Sequence, residues 1–222
     1  NGHAHRMFLA DFYTGKFFGS AARGVDFQTD DQSGERRTSG SSASLAGIES
    51  ALESGSADEL DTAVARYLCA YSMVFGFGGI PLLYMGDEIG MLNDESYVAD
   101  PSKQNDNRWI HRPGMNWELA ELSASAPEGS SDLVAVRIRE GINRIISARI
   151  SIPSLHAAVA TRVRASQASG VVIFERHHAA GDLVQLYNLA SEPRQVASTE
   201  LAGLQGEFGI GLLSFWTLGE EL

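Results

Sequence analysis

Apolar residues recur along this chain with two different periods, and the change from one to the other divides it. In residues 5–13, Met7, Phe8 and Phe12 fall at helical spacing, and Gly15 supplies a stop. A second helix is predicted from a capping box at Ser56 to Glu59, in which Ser and Glu satisfy each other's backbone amides. Leu60, Val64, Leu68, Tyr71 and Phe75 then follow at steps of three and four, and the glycines from Gly76 to Gly79 end that apolar face. Residues 80–85 are a continuous apolar run, the pattern of a parallel strand covered on both faces. A third helix, capped by Ser130 or Ser131, carries Leu133, Val136, Ile142, Ile145, Ile146 and Arg149 on its face and closes at Pro153. From there the period becomes two, predicting strands over residues 171–174, 183–187 and 212–216.

The fold class that follows is α/β up to about residue 153 and all-β beyond it. Helix, glycine turn and buried strand make an α/β unit, but one parallel strand cannot close a sheet. Either residues 1–150 belong to a larger barrel, or the strand pairs with a partner the sequence does not reveal. The opening at Asn1, without a methionine, favours the barrel and leads to the expectation that an N-terminal part of the same chain is missing. Between the first two helices, residues 19–44 are rich in glycine, serine and charge, the composition of a binding loop or disorder. Phe17, Phe18 and Phe27 favour an ordered loop.

Composition narrows the partners. The net charge of −11 over 222 residues argues against nucleic acid, which needs clustered Lys and Arg, and against an anionic membrane surface. It fits a neutral or cationic ligand. The apolar stretch over residues 71–85 is too short and too broken by Gly76, Gly78, Gly79 and Pro81 to span a bilayer. Cys69, the single cysteine, sits in a helical apolar pattern and reads as a core thiol. His3 and His5, and the adjacent His177 and His178, lack the convergent Cys, Asp or Glu that a metal site needs, so neither metal nor cofactor is expected. Trp117 and Trp216 read as packing residues.

The candidate chemistry lies where the apolar run stops at Gly86, Asp87 and Glu88, and a long polar loop then delivers Arg108 and Trp109. Loops at the C-terminal ends of barrel strands build active sites. Asp87 and Glu88 do not suit a retaining glycosidase pair, whose carboxyl groups converge at roughly 5 Å. Consecutive residues leaving a strand point to opposite sides. They are expected to hydrogen-bond the loop backbone and support the rim. Arg108 offers a rigid fork of donors suited to sugar hydroxyls and to a carboxylate.

The run GIPLLYMGDEIG (residues 79–90) resembles the eighth barrel strand of the α-amylase superfamily. Further pieces resemble the amylosucrases in particular. Asn93 and Asp94, with DNRWIHRP at 106–113, are similar to their loop after strand eight. HRMFL (5–9), GSAARGVDFQ (19–28) and GERRTSG (34–40) are similar to the domain they insert after strand seven. The resemblance is strongest over residues 1–113 and weak in the β tail. It implies the C-terminal part of a (β/α)8 barrel, with the end of the inserted domain at 1–51, the last part of the barrel at 52–150, and an antiparallel β-sandwich at 151–222.

It also implies an enzyme that moves the glucosyl unit of sucrose onto an α-1,4-glucan, releases fructose and retains configuration. The catalytic carboxylates of that family lie on earlier strands, so this chain is expected to hold none of them. Arg108 matches the family's arginine at the floor of the sucrose pocket, while Arg6, Gln28 and Arg37 match residues on its acceptor side. Arg36 should face away from Arg37 in an extended segment, and reads as an exposed charge of little consequence. Ala21 and Phe18 depart from the family pattern, which bears on the shape of the acceptor channel. The alternatives are a sucrose hydrolase or another α-amylase-type glycosidase, and a non-catalytic carbohydrate-binding module.

Overall fold

Helix α1 (Gly2–Tyr13) forms where the periodicity places it and turns off at Gly15, whose φ of +72° is costly for any residue with a Cβ. The computed structural model describes residues 2–127, 130 and 133–200. The predicted strand at 212–216, with Trp216, and the candidate cap Ser131 lie outside the described residues. The chain divides into two compact units, one of residues 1–67 and 83–139, the other of residues 68–82 and 140–222.

In the first unit, α1 is followed by a short antiparallel pair, β1 (Val25–Phe27) and β2 (Arg37–Ser39), with Val25 opposite Ser39 and Phe27 opposite Arg37. Gly24 permits the close approach that seats this pair, because a Cβ there would stand 2.5 Å from both the Thr38 methyl and the Tyr13 carbonyl oxygen. Two short helices follow, α2 (Ser42–Ala46) and α3 (Ile48–Ser54). Ser41 caps α2 by accepting from the Ser44 amide, and left-handed Gly47 and Gly55 end the two helices. Buried Ala43, Ile48, Tyr67, Ile89, Ile110 and Ile138 form the apolar interior of this unit. Helix α4 (Ala57–Gly76) begins here. Its expected capping box is half made: Ser56 Oγ accepts from the Glu59 amide at 3.3 Å, but the Glu59 carboxylate takes the Ser54 hydroxyl at 2.6 Å instead. Helix α5 (Trp117–Ser125) is capped by Asn116, and its first residue, Trp117, is 68% exposed and not the packing residue expected.

The second unit contains the C-terminal part of α4, most of α6 (Val134–Ser151) and a sheet. The sheet consists of β3 (Arg162–Ala165), β4 (Val171–Arg176) and β5 (Leu183–Asn188), antiparallel in that order. β4 is almost wholly buried, and Ile173, Phe174 and Tyr187 join Leu68, Tyr71, Phe75, Ile142 and Ile145 in the core. Among the described residues this is one antiparallel sheet of three strands.

The end of α4 is held by cations. The last four carbonyls of a helix have no partner within it. Arg176, fully buried, donates to the carbonyls of Gly76 and Phe77 at 2.9 and 2.7 Å, and to those of His156 and Val159 at 2.6 and 2.8 Å. Arg149 donates to the carbonyls of Phe75, Phe77 and Gly79. Gln185 adds a bond to the Gly76 carbonyl at 3.2 Å, and the Tyr187 hydroxyl donates to that of Ser72 at 3.1 Å. Gly76 has to be glycine, because a Cβ there would lie 2.1 Å from Gln185 Oε1 and 2.2 Å from the Tyr187 hydroxyl.

Residues 80–84 differ from expectation. They form neither helix nor strand and pair with no strand among the described residues, and Ile80 and Leu82 are 91% and 73% exposed. A parallel strand is buried only between neighbours, and the described residues supply none. The architecture shown is therefore mixed helix with small antiparallel sheets. Among the described residues no helix is long and apolar enough to cross a membrane.

Replacing Arg176 by methionine keeps most of the packing volume but removes four hydrogen bonds to carbonyls, of which those of Gly76 and Phe77 keep Gln185 and Arg149 as second donors. It should lower unfolding free energy by at least about 3 kcal/mol. Arg162→Met, at an exposed position of β3, should change it by less than about 0.5 kcal/mol. Urea unfolding of both variants checks the difference.

Candidate functional site

The β1–β2 pair has two faces, because successive strand residues point to opposite sides. Val25, Phe27, Arg37 and Ser39 share one face; Asp26 and Thr38 share the other. On the first face stands the 3₁₀ turn Asn107–His111. Ser39 Oγ lies 2.9 Å from His111 Nδ1, the Arg108 guanidinium sits 5.6 Å from the centre of the Phe27 ring, and the Asn107 side chain donates to the Asp26 carbonyl. Asn93 joins a further corner: its Oδ1 accepts from the Ser41 amide at 2.8 Å, its Nδ2 donates to the Arg23 carbonyl, and its own amide donates to Ser44 Oγ at 2.9 Å. These contacts draw three stretches of sequence, 19–44, 86–94 and 106–113, into one surface.

Arg108 is exposed and held by Asp106, with Nε and Nη2 donating to the two carboxylate oxygens at 2.8 and 2.7 Å. Asp106 also caps the turn by accepting from the Arg108 amide at 3.1 Å. The Arg108 hydrogen bond, joined by that of the amide, lowers the Asp106 pKa to about 2. Trp109 lies between two cations, with Lys103 Nζ 4.9 Å and the Arg112 guanidinium 5.8 Å from its ring centre. Burial, with Arg112 nearby, pushes the His111 pKa down.

The other candidate residues are less uniform. Arg37 is exposed, opposite Phe27 in the register, and makes no ion pair among the described residues. Gln28, next to Phe27, is exposed and the one residue other than glycine with positive φ among the described residues, at +50°. A bulky side chain in that region is strained, and such strain collects at functional positions. Arg108 thus stands over Phe27, whose strand partner is Arg37 and whose chain neighbour is Gln28. Arg6 does not join them: it is exposed on α1 and pairs with Glu35 at 2.5 Å, where His3 also reaches Glu35 at 3.0 Å. Glu88 accepts from the Gly86 amide at 2.8 Å. Asp87 is 8% exposed; its carbonyl accepts from the buried Tyr67 hydroxyl at 2.6 Å, and its carboxylate accepts from Ser42 Oγ at 3.4 Å.

Arg36 overturns its expectation. It does face away from Arg37, but towards α1 and not towards water. Its side chain is 19% exposed and forms ion pairs with Asp11 and with Asp26, the latter at 2.9 Å, and Asp26 also pairs with Lys16. Asn93, Asn107, Ser39 and His111, which join the segments, were not singled out from the sequence. Their one legible signal was that they fall inside the quoted motifs. Among the described residues no cluster of His, Cys, Asp and Glu could hold a metal ion.

No family model matches the chain. One solved structure to which it is similar is the ligand-free form of cyclic α-maltosyl-(1→6)-maltose hydrolase from Arthrobacter globiformis. The two are 17% identical, the match covers 66% of this chain and 32% of that one, and the TM-score is 0.40. The chain spans about a third of that protein's length. A likeness at that level assigns neither fold nor function.

Two outcomes test this geometry. The Asp106 carboxyl should titrate at about 2 by carbon-detected NMR and return towards 3.8 in Arg108→Ala. Because the folded pKa is depressed, whatever the pair contributes to stability is present above the ordinary carboxylate range and is lost as pH falls through about 2. Arg36→Ala should lower stability by about 1–2 kcal/mol, against less than about 0.5 kcal/mol for Arg37→Ala, measured by thermal unfolding.

Proposed function

We propose that the chain is the C-terminal part of an α-amylase-type enzyme of the amylosucrase kind. Such an enzyme transfers glucose from sucrose to an α-1,4-glucan with retention and release of fructose. The observation that carries this reading is a coincidence of sequence and space. Segments 19–40, 86–94 and 106–113 carry the resemblance, and they are the segments that Asn93, Asn107, Ser39 and His111 tie together. In this reading residues 1–51 end the inserted domain, 52–150 complete the barrel, and 151–222 form the β domain. Residues 80–85 then take their place as a strand when earlier barrel strands lie beside them.

The chemistry divides accordingly. The nucleophile and the acid/base belong to the earlier strands, so this chain supplies no catalytic carboxylate. Arg108, prealigned by Asp106, presents a fork of donors to the donor sugar or to an acid from another strand. Arg37 and Gln28 hydrogen-bond the glucan acceptor, Arg37 through a charged donor, while Arg6 stays with Glu35. Asp87 and Glu88 support the rim.

The purified chain should release no fructose from sucrose, because a retaining mechanism needs two carboxyl groups that converge on one bond. It should bind maltoheptaose, with amide shifts at residues 25–39 and 107–111, and Arg37→Ala should weaken that binding about 12- to 160-fold, the range for one hydrogen bond with a charged group. Fructose release well above a buffer blank would overturn the division of labour. Absence of any glucan shift at these residues would remove the acceptor role.

A further inference from the structure

Arg108 takes its orientation from Asp106, but its place against the hairpin comes from elsewhere. The turn Asn107–His111 is hydrogen-bonded to the hairpin at both of its ends. At the far end His111 Nδ1 meets Ser39 Oγ at 2.9 Å. At the near end the Asn107 side chain donates to the Asp26 carbonyl, and Arg108 is the next residue. We propose that Arg36 is a positioning residue for Arg108: by clamping the Asp26 side chain it fixes the backbone carbonyl from which Asn107 holds the turn. The inference rests on the reading of Arg108 as a ligand residue, and adds to it the group that sets where its guanidinium stands.

The hairpin cannot fix Asp26 by itself. β1 and β2 have three residues each and form a two-stranded sheet, and such a pair is marginal in water. Charge holds Asp26 instead. Its Oδ1 lies 2.9 Å from Arg36 Nε, and both atoms are shut off from water. Its Oδ2 pairs with Lys16, a half-exposed point charge on a flexible stem. Arg36 is the firmer anchor, because its planar group is largely buried and also seated on Asp11, with Met7 Sδ 3.9 Å from Nη1. Asp11 and Met7 belong to α1, a helix of 12 residues, so the clamp ties a three-residue strand to a much longer element. Asp26 then passes that position on, with its side chain on Arg36 and its carbonyl on Asn107. The Arg108 guanidinium stands 5.6 Å from the centre of the Phe27 ring, and Phe27 follows Asp26 in β1. Asp106 caps the turn and moves with it, so the Asp106–Arg108 pair cannot set the turn against the hairpin. Without Arg36 the Asp26 carboxylate keeps Lys16 as its cation and swings with it towards water. The carbonyl follows, and Arg108 leaves Phe27.

NMR of the purified chain tests this by distance and not by stability. Cross-relaxation between the Phe27 ring protons and the Arg108 side chain should weaken several-fold in Arg36→Ala. The His111 ring signals should stay in place, because Ser39 still holds that end of the turn. Asp11→Asn, which loosens Arg36 from α1 without removing it, should give part of the same loss. Asn107→Ala should reproduce the loss in full, and adding Arg36→Ala to it should give no more. Ile48→Val, a truncation at a fully buried position of α3 that also lowers stability, should leave the Phe27–Arg108 signal intact. An unchanged signal in Arg36→Ala or in Asp11→Asn, an equal loss in Ile48→Val, displaced His111 signals, or a further loss in the double variant would overturn the positioning role. If maltoheptaose shifts the hairpin amides while the Phe27–Arg108 signal survives Arg36→Ala, the positioning role falls and the acceptor reading stands. If the signal is lost with Arg36 but maltoheptaose moves no hairpin amide, the reverse holds.

Discussion

The carbonyl groups at the end of α4 have to be satisfied inside the protein, and much of the second unit follows from how that is done. Arg176 and Arg149 supply two guanidinium groups to one helix terminus, and among the described residues neither makes an ion pair with a carboxylate. Their counter-charge is the helix itself, whose C-terminus carries about half a negative charge in unsatisfied carbonyls. Guanidinium suits the task because its five donors are fixed in a plane and it cannot be neutralised at ordinary pH. The constraint reaches outward from there. β4 ends in a fully buried arginine, β5 turns Gln185 and Tyr187 towards the same terminus, and the helix finishes on the one residue type that leaves them room.

The first unit solves a different problem with a different device. Its β1–β2 pair is too short to stand alone, and it is stabilised on both faces. One face uses charge, with Arg36 set between Asp11 and Asp26; the other uses neutral hydrogen bonds to the 3₁₀ turn that carries Arg108. The face paired through Arg36 is structural, and the other carries the candidate ligand residues Arg37 and Arg108. This division leaves Arg37 without an ion pair among the described residues, while its neighbour Arg36 is committed twice.

Long elements were legible in the sequence because period is a property of many residues at once. α4 and α6 announced themselves through five or more apolar positions each. α2, α3 and α5 did not, since five to nine residues give too few turns for a period to show. For α2 and α3, a cap at Ser41 and stops at Gly47 and Gly55 were the signals available. The reading of Arg36 shows where strand alternation stops being informative. It correctly separated Arg36 from Arg37, but it could not say that α1 and not solvent lay on the far side. Arg176 was beyond reach, because its helix partner lies 100 residues away and no local pattern marks it. For the candidate site, the motifs located Arg108 and the hairpin, whereas the asparagine bridges that assemble them appear only in three dimensions.

The apolar segment at 80–85 has a consequence for how the chain behaves in quantity. It is uncharged and apolar, bounded by Gly79 and Gly86, and pairs with no strand among the described residues. An unpaired apolar segment is a template for pairing with another chain, and the residue that opposes ordered stacking there is Pro81, which has no amide to give to a ladder. Its placement inside the run, and not beside it, acts as a gatekeeper on solubility.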